Sequence, residues 1–97
     1  MRYELHTGSV KVSATFADYV ETRMQRLLAD FAFIVSSDIY VHELGAKSPS
    51  HQIRIRVQVP GETLLAEEKA DNFQEAFDMA LAAIRRQLTR YKETIRS

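Results

Sequence analysis

Basic residues crowd the last thirteen positions of the chain, and their type and spacing suit a chemical task better than any other group in the sequence. They are Arg85, Arg86, Arg90, Lys92 and Arg96. A guanidinium group is planar, presents paired donors and keeps its charge, so a ridge of arginines suits the binding of phosphate groups. The alternative is a solvated helix end whose cations complement the helix dipole, and the charge pattern alone leaves both interpretations open.

A helical projection divides these residues between two flanks of one helix. With Ile84 as the direction of the core, each residue turns the helix by about 100°. One flank then holds Arg85, Lys92 and Arg96, while the other holds Arg86 and Arg90. A second apolar stripe, earlier in the chain, carries Arg23 and Arg26 on one of its own flanks. If the two helices lie side by side, we expect their flanks to merge into one basic surface.

No set of residues in the sequence fits a catalytic or cofactor site. Cysteine is absent, which excludes disulfides, thiolate metal sites and a cysteine nucleophile. The histidines lack the i, i+4 spacing of a helical metal site, the serines lie in no nucleophile elbow, and the glycines form no phosphate loop. A metal contact across a hairpin is imaginable for His42, Glu43 and His51, which we interpret as surface side chains. We expect no enzymatic activity, metal, cofactor or small-molecule substrate.

The overall composition is that of one ordinary globular domain. The chain has 97 residues, 45% hydrophobic and 27% charged, and we expect residues 1–97 to form a single domain. The N-terminus lacks the apolar run of a signal peptide, and no segment approaches the roughly 20 apolar residues of a membrane span. A cytoplasmic protein without membrane contact is therefore expected. The zero net charge conceals an acidic stretch, residues 61–78, ahead of the basic end.

Hydrophobic periodicity predicts an α+β fold with the element order β-α-β-β-β-α. Strands are expected over residues 2–6, 34–44, 52–59 and 63–70, and helices over 14–30 and 73–94. Ser13 is the expected N-cap of the first helix, and Asp71 or Asn72 that of the second. The alternation of residues 63–70 is the weakest of these patterns.

Both predicted helices are amphipathic, so each needs an apolar surface to cover. One face of a four-stranded sheet provides it, and we expect both helices on that face. The inward side chains of the clearest strand are Ile53, Ile55, Val57 and Val59. The helical side chains expected to be buried against them are Leu27, Leu81, Ile84 and Leu88.

Several short motifs, in this order and spacing, resemble a known family. The run 86–92, Arg-Gln-Leu-Thr-Arg-Tyr-Lys, looks like the family's Arg-Gln-Leu-x-Lys-x-Lys ending. In the first helix, Arg23 and Arg26 stand where the family has paired basic residues before a leucine. The Pro60-Gly61 turn, the Ala66-Glu67 strand and the Asp71 to Asp78 spacing also match. Almost the whole chain thus resembles the ribosome hibernation promoting factor family, also called the sigma-54 modulation protein or ribosome-associated inhibitor family.

The resemblance implies a fold similar to a double-stranded-RNA-binding domain with an added strand. It implies binding to the small ribosomal subunit and its ribosomal RNA, in the channel used by messenger and transfer RNA, so that translation stops while the ribosome is stored. The RNA-binding positions that match the family are Arg23, Arg26, Arg86, Arg90 and Lys92. Charge geometry, rather than the motif, adds Arg85 and Arg96.

The sequence also departs from the family's pattern. Ala82 and Ala83 occupy a stretch where relatives often carry a lysine, and the net charge is zero, so RNA affinity is expected to be weaker or more localised. The chain ends just after the second helix, which is the expectation for a short member without the extra domain through which long members dimerise ribosomes. The alternative function is a protein-interaction module that uses the acidic stretch and an open sheet face with Tyr40, Arg54 and Arg56.

Overall fold

A four-stranded sheet, covered on one face by two helices, builds the structure. The computed structural model describes residues 3–96, except the side chain of Arg96. The elements are β1 (Tyr3–His6), α1 (Ala14–Asp30), β2 (Ser36–Glu43), β3 (His51–Val59), β4 (Glu62–Ala70) and α2 (Phe73–Arg96). The strand order is β1-β2-β3-β4, with β1 parallel to β2 and the other pairs antiparallel. The predicted β-α-β-β-β-α order is confirmed; Arg2, in the predicted first strand, lies outside the described residues.

The inner face of the sheet forms the floor of the hydrophobic core. On β3 the inward side chains are Ile53, Ile55, Val57 and Val59, which are fully buried. The same core contains Val20, Met24 and Leu27 of α1 and Phe77, Ile84 and Leu88 of α2. Because both helices contribute to one core over this face, the predicted one-sided packing is confirmed. The predicted burial of Leu27, Leu81, Ile84 and Leu88 is confirmed as well.

Both helices begin at side-chain caps. The Ser13 hydroxyl accepts a hydrogen bond from the backbone N–H of Phe16 at 3.0 Å, so α1 starts where the sequence predicted. Of the two candidates for α2, Asn72 is the cap, since its side-chain oxygen accepts from the N–H of Glu75 at 2.8 Å. That helix continues two residues beyond its predicted end. Within the described range, neither helix carries an apolar stretch that could span a bilayer.

Two polar side chains tie the C-terminal half of α2 to the sheet. The Gln87 amide donates to the backbone carbonyl of Leu65 on β4 at 2.8 Å. The Tyr91 hydroxyl donates to the carbonyl of Pro60, in the turn between β3 and β4, at 2.5 Å. The Tyr91 ring also packs 5.3 Å from the ring of Phe33 and is partly buried against the core. Tyr91 therefore serves the fold, as its place in the apolar period of α2 indicates.

The strand limits differ slightly from the predicted ones. β2 is shorter than the predicted 34–44 because Ile34 lies in a turn, where its N–H donates to the carbonyl of Phe31 at 3.1 Å. Its β-branched side chain fills the core without extending the strand. β4 forms as predicted. Its hydrophobic alternation is faint because two of its three buried apolar side chains, Ala66 and Ala70, are small; the third is Leu64.

Candidate nucleic-acid interface

Three cations of α2, Arg86 and Arg90 on one flank and Lys92 on the other, have no partner among the described residues. Arg86, Arg90 and Lys92 are exposed, and none makes a side-chain hydrogen bond or ion pair within residues 3–96. The core holds Ile84 and Leu88 on the inner side of the helix, which turns Arg86 and Arg90 outward. A shallow concavity lies alongside, lined by Arg85, Arg86, Thr89 and Arg90. We call Arg86, Arg90 and Lys92 the unpaired cations.

Arg23, by contrast, belongs to a chain of contacts between the two helices. Its guanidinium lies 4.5 Å from the centre of the Tyr19 ring, and its Nη2 donates to the Tyr19 hydroxyl at 3.2 Å. The hydroxyl in turn donates to the Asp78 carboxylate of α2 at 2.6 Å. The hydrogen bond to Tyr19 raises the pKa of Arg23 above its ordinary value. Arg23 is exposed on α1 but already engaged in a stacked, hydrogen-bonded contact.

Arg26 and Arg85 meet at a single carboxylate. Asp30, the last residue of α1, places its Oδ2 atom 3.3 Å from Arg26 Nε and 3.0 Å from Arg85 Nη2. Hydrogen bonding to Arg85, and then the charges of both arginines, hold the pKa of Asp30 below its ordinary value despite some desolvation. The predicted merging of the two basic flanks thus occurs at this point, and an acidic residue stands between them.

The seven residues predicted to bind RNA therefore fall into distinct groups. Arg23, Arg26 and Arg85 contact acceptors within the chain; we call them the paired arginines. The unpaired cations have no such contacts in the part of the chain that the structure describes. The side chain of Arg96 lies outside the described residues. Asp30 was not predicted as part of the site. Its i, i+4 spacing from Arg26 is a signal that could have indicated it, whereas its contact with Arg85 depends on how the helices pack.

The opposite, open face of the sheet also carries arginines, but they are matched by neighbouring carboxylates. Arg54 donates through Nε and Nη2 to the Glu67 carboxylate across β3 and β4, at 3.1 and 3.0 Å. Arg56 Nη1 lies 3.4 Å from Asp38 Oδ2 on β2. Tyr40, the third side chain named for this face, is only partly exposed. The charges of Arg54 and Arg56 are therefore neutralised by carboxylates within the fold.

One group of potential metal ligands lies on the same face, at a place the sequence did not indicate. In the described part of the chain, Glu4, His6 and Asp38 alone bring three ligand atoms together. His6 Nε2 lies 2.8 Å from Asp38 Oδ1 and 3.8 Å from Glu4 Oε2. The parallel register that pairs Glu4 with Asp38 brings these residues together, and no local pattern reveals it. The imagined set of His42, Glu43 and His51 does not converge.

Two helices pack on one face of a four-stranded mixed sheet, and the C-terminal half of α2 is cationic; together they form an α+β fold. Residues 3–96 match the family described as Sigma 54 modulation protein / S30EA ribosomal protein, and the chain belongs to that family. The resemblance inferred from the motifs is thereby confirmed.

Curated relatives carry the name ribosome hibernation promotion factor. The protein from Picosynechococcus sp. (strain ATCC 27264 / PCC 7002 / PR-6) is 25% identical over 96 residues, which cover 96% of this chain and 50% of the relative. The protein from Staphylococcus aureus (strain COL) is 22% identical over 95 residues, which cover 98% of this chain and 50% of the relative. The chain thus spans about half the length of these relatives.

Solved structures share the fold. A ribosomal subunit interface protein from Coxiella burnetii superposes with a TM-score of 0.82 at 20% identity, over 96% of this chain and 99% of that one. The N-terminal domain of Thermus thermophilus Protein Y gives a TM-score of 0.75 at 21% identity, over 94% and 99%. At these identities the likeness shows the fold alone.

Proposed function

We propose that this chain binds the small ribosomal subunit through its ribosomal RNA and keeps the ribosome inactive, as a hibernation factor. The observation that carries the proposal is the group of unpaired cations on α2, in a chain that belongs to this family. Arg86, Arg90 and Lys92 also coincide with the basic positions of the motif by which the sequence resembled the family. The names of the curated relatives support the same function.

The chemistry of the surface favours contact with a phosphate backbone. Arginines bind phosphate oxygens through two donors at once, and each contact releases counterions from the nucleic acid. The unpaired cations would make these contacts without giving up an internal partner. Arg85 lines the same concavity as Arg86 and Arg90 and meets Arg26 of α1 at Asp30, so the paired arginines would extend the surface toward α1.

The zero net charge makes this contact local. A protein with balanced charge gains little from long-range attraction to a polyanion, so affinity has to come from cations placed at the interface. The unpaired cations meet that requirement, whereas the open sheet face does not, because Arg54 and Arg56 are matched by carboxylates. We therefore place the RNA contact on the helical side of the domain.

The proposed mechanism is occupancy without turnover. A domain seated in the channel that messenger and transfer RNA use would exclude both, and it would need no catalytic residue. Inhibition of translation should then be stoichiometric with ribosomes and should be relieved by excess messenger and transfer RNA.

The test is co-sedimentation of the protein with purified small subunits, with and without pre-bound messenger and transfer RNA. We expect binding to vacant subunits and strong competition by the bound RNAs. Equal binding to vacant and occupied subunits would contradict the proposal that the protein binds in the channel used by messenger and transfer RNA. Absence of binding by the folded protein would contradict the function and favour the protein-interaction alternative.

A further inference from the structure

Asp30 holds the two arginines that join the helices in an arrangement suited to a phosphate oxygen. Its Oδ2 atom lies 3.3 Å from Nε of Arg26 on α1 and 3.0 Å from Nη2 of Arg85 on α2. Arginine binds carboxylate and phosphate oxygens through the same N–H donors, so a phosphate oxygen could take the place of the carboxylate oxygen between these two guanidinium groups. In the free protein a carboxylate occupies that position.

The location of Asp30 is unfavourable for the helix to which it belongs. It is the last residue of α1, where the dipole disfavours an anion, and the last turn contains no basic residue. The nearby arginines hold the pKa of Asp30 low, so the carboxylate is charged at neutral pH. Its stabilisation thus comes from the guanidinium groups of Arg26 and Arg85.

These contacts are open to exchange. The side chains of Asp30 and Arg85 are each 36% exposed, and that of Arg26 is 76% exposed. Ion pairs this accessible are weak, because water and salt screen them. A phosphate carried by a ligand that is already bound to the neighbouring unpaired cations can therefore compete for the same arginines.

We propose that Asp30 is an internal competitor of RNA phosphate. Its carboxylate occupies the position between Arg26 and Arg85 in the free protein, and a backbone phosphate takes its place when RNA binds. The inference rests on the proposed function and adds a regulatory residue to that surface. Since the arginines are available only when Asp30 releases them, the observed affinity is lower than the intrinsic one by the available fraction.

The test is a mutant cycle measured on poly(U) RNA by fluorescence anisotropy at low salt. Asp30→Asn should tighten binding by about three-fold, since it removes the charge that holds two exposed arginines. Asp30→Ala, which also removes the acceptor, should do at least as much. The matched control is Asp18→Asn, which removes the same charge from an exposed position of α1 without an ion pair in the described residues, and its gain should be much smaller.

The decisive arm repeats Asp30→Asn in an Arg26→Gln/Arg85→Gln background. There the gain should vanish, because the arginines it releases are absent. Equal gains for Asp30→Asn and Asp18→Asn would overturn the proposal, as would a gain that persists in the double background. Weaker binding by Asp30→Asn, or no binding of poly(U) by any variant, would overturn it too. Co-sedimentation of the unmodified protein with small subunits tests the function separately, so the two failures can be told apart.

Discussion

The helical side and the open sheet face of this domain both display arginines, yet their surroundings differ. On the sheet, the antiparallel register places Arg54 opposite Glu67 and Arg56 opposite Asp38, and each pair closes an ion pair. On the outer side of α2, Arg86 and Arg90 have no carboxylate partner within the described residues. The same side chain thus supports the fold in one place and remains available to a ligand in the other. Partnership, rather than residue type, distinguishes the outer side of α2 from the open sheet face.

The sharpest way to break this comparison is to reverse the charge of α2. Arg86→Glu with Arg90→Glu should abolish most ribosome binding, because two attractive charges become repulsive toward phosphate. The fold should persist, since both side chains point away from the core. Co-sedimentation across a salt series measures binding, and circular dichroism checks folding. Unchanged binding by the folded variant would remove α2 from the RNA contact.

Neutral substitutions give the matched control for that experiment. Arg86→Gln/Arg90→Gln and Arg54→Gln/Arg56→Gln remove the same two charges from opposite faces. The first pair should weaken binding and lower the salt slope by about one unit or less per lost phosphate contact, whereas the second should leave both nearly unchanged. Equal losses would mean that net charge, and not position, governs the interaction.

Glu62→Gln/Glu75→Gln should have little effect or slightly strengthen binding.

The inner side of α2 should respond through stability alone. Ile84 is fully buried, so Ile84→Ala should lower the free energy of unfolding by about 2–5 kcal/mol. Urea denaturation measures the loss, and the molecules that remain folded should still bind ribosomes. A loss below about 1 kcal/mol would show that the packing of this helix face is misassigned.

The two arginine pairs should also differ in stability. Arg54→Gln/Arg56→Gln breaks two exposed ion pairs and should cost up to about 1 kcal/mol for each. Arg86→Gln/Arg90→Gln breaks none among the described residues and should change unfolding by about 0.5 kcal/mol or less. Thermal or urea unfolding of the two double variants and the unmodified protein distinguishes them. A larger loss from the α2 pair would contradict the description of those cations as unpaired.

The smallest effect expected is a pH dependence that comes from Asp30. Because its folded pKa is lower than the ordinary 3.8, the ionised carboxylate stabilises the fold at and above that pH. This contribution is lost as the pH falls from 3.8 through the folded pKa. Asp30→Asn should therefore be slightly less stable than the unmodified protein at neutral pH, and the difference should vanish in acid. Urea unfolding of both proteins at neutral pH and in acid measures the difference in their free energies of unfolding. A difference that is the same at both pH values would contradict the stabilising role of the ionised Asp30 carboxylate.

Hydrophobic periodicity and capping residues predicted the helices and strands, because residues close together in the sequence largely determine where these elements form. The apolar stripe after Ser13 located α1 to the residue, and the alternation of β3 located its buried face. β4 was fainter because Ala66 and Ala70 carry little hydrophobic signal. The basic residues of the candidate interface were likewise visible in the sequence.

What the sequence could not reveal was which of those residues have partners. The contact between Asp30 and Arg85 joins two helices whose packing no short pattern specifies. The cluster of Glu4, His6 and Asp38 depends on the parallel pairing of β1 with β2, which is equally remote from local sequence. Charges were therefore predicted one by one, whereas their pairing is a property of the tertiary structure.

The two hydrogen bonds that tie α2 to the sheet affect how tightly the unpaired cations can bind a ligand. Gln87 and Tyr91 fasten the helix to β4 and to the turn before it, and they lie between and beside the unpaired cations along the chain. With these bonds in place, the helix resists rolling about its own axis, so the directions in which Arg86 and Arg90 leave it are set when the chain folds. A ligand then has to immobilise only the ends of flexible side chains, and the entropy lost on association is correspondingly smaller.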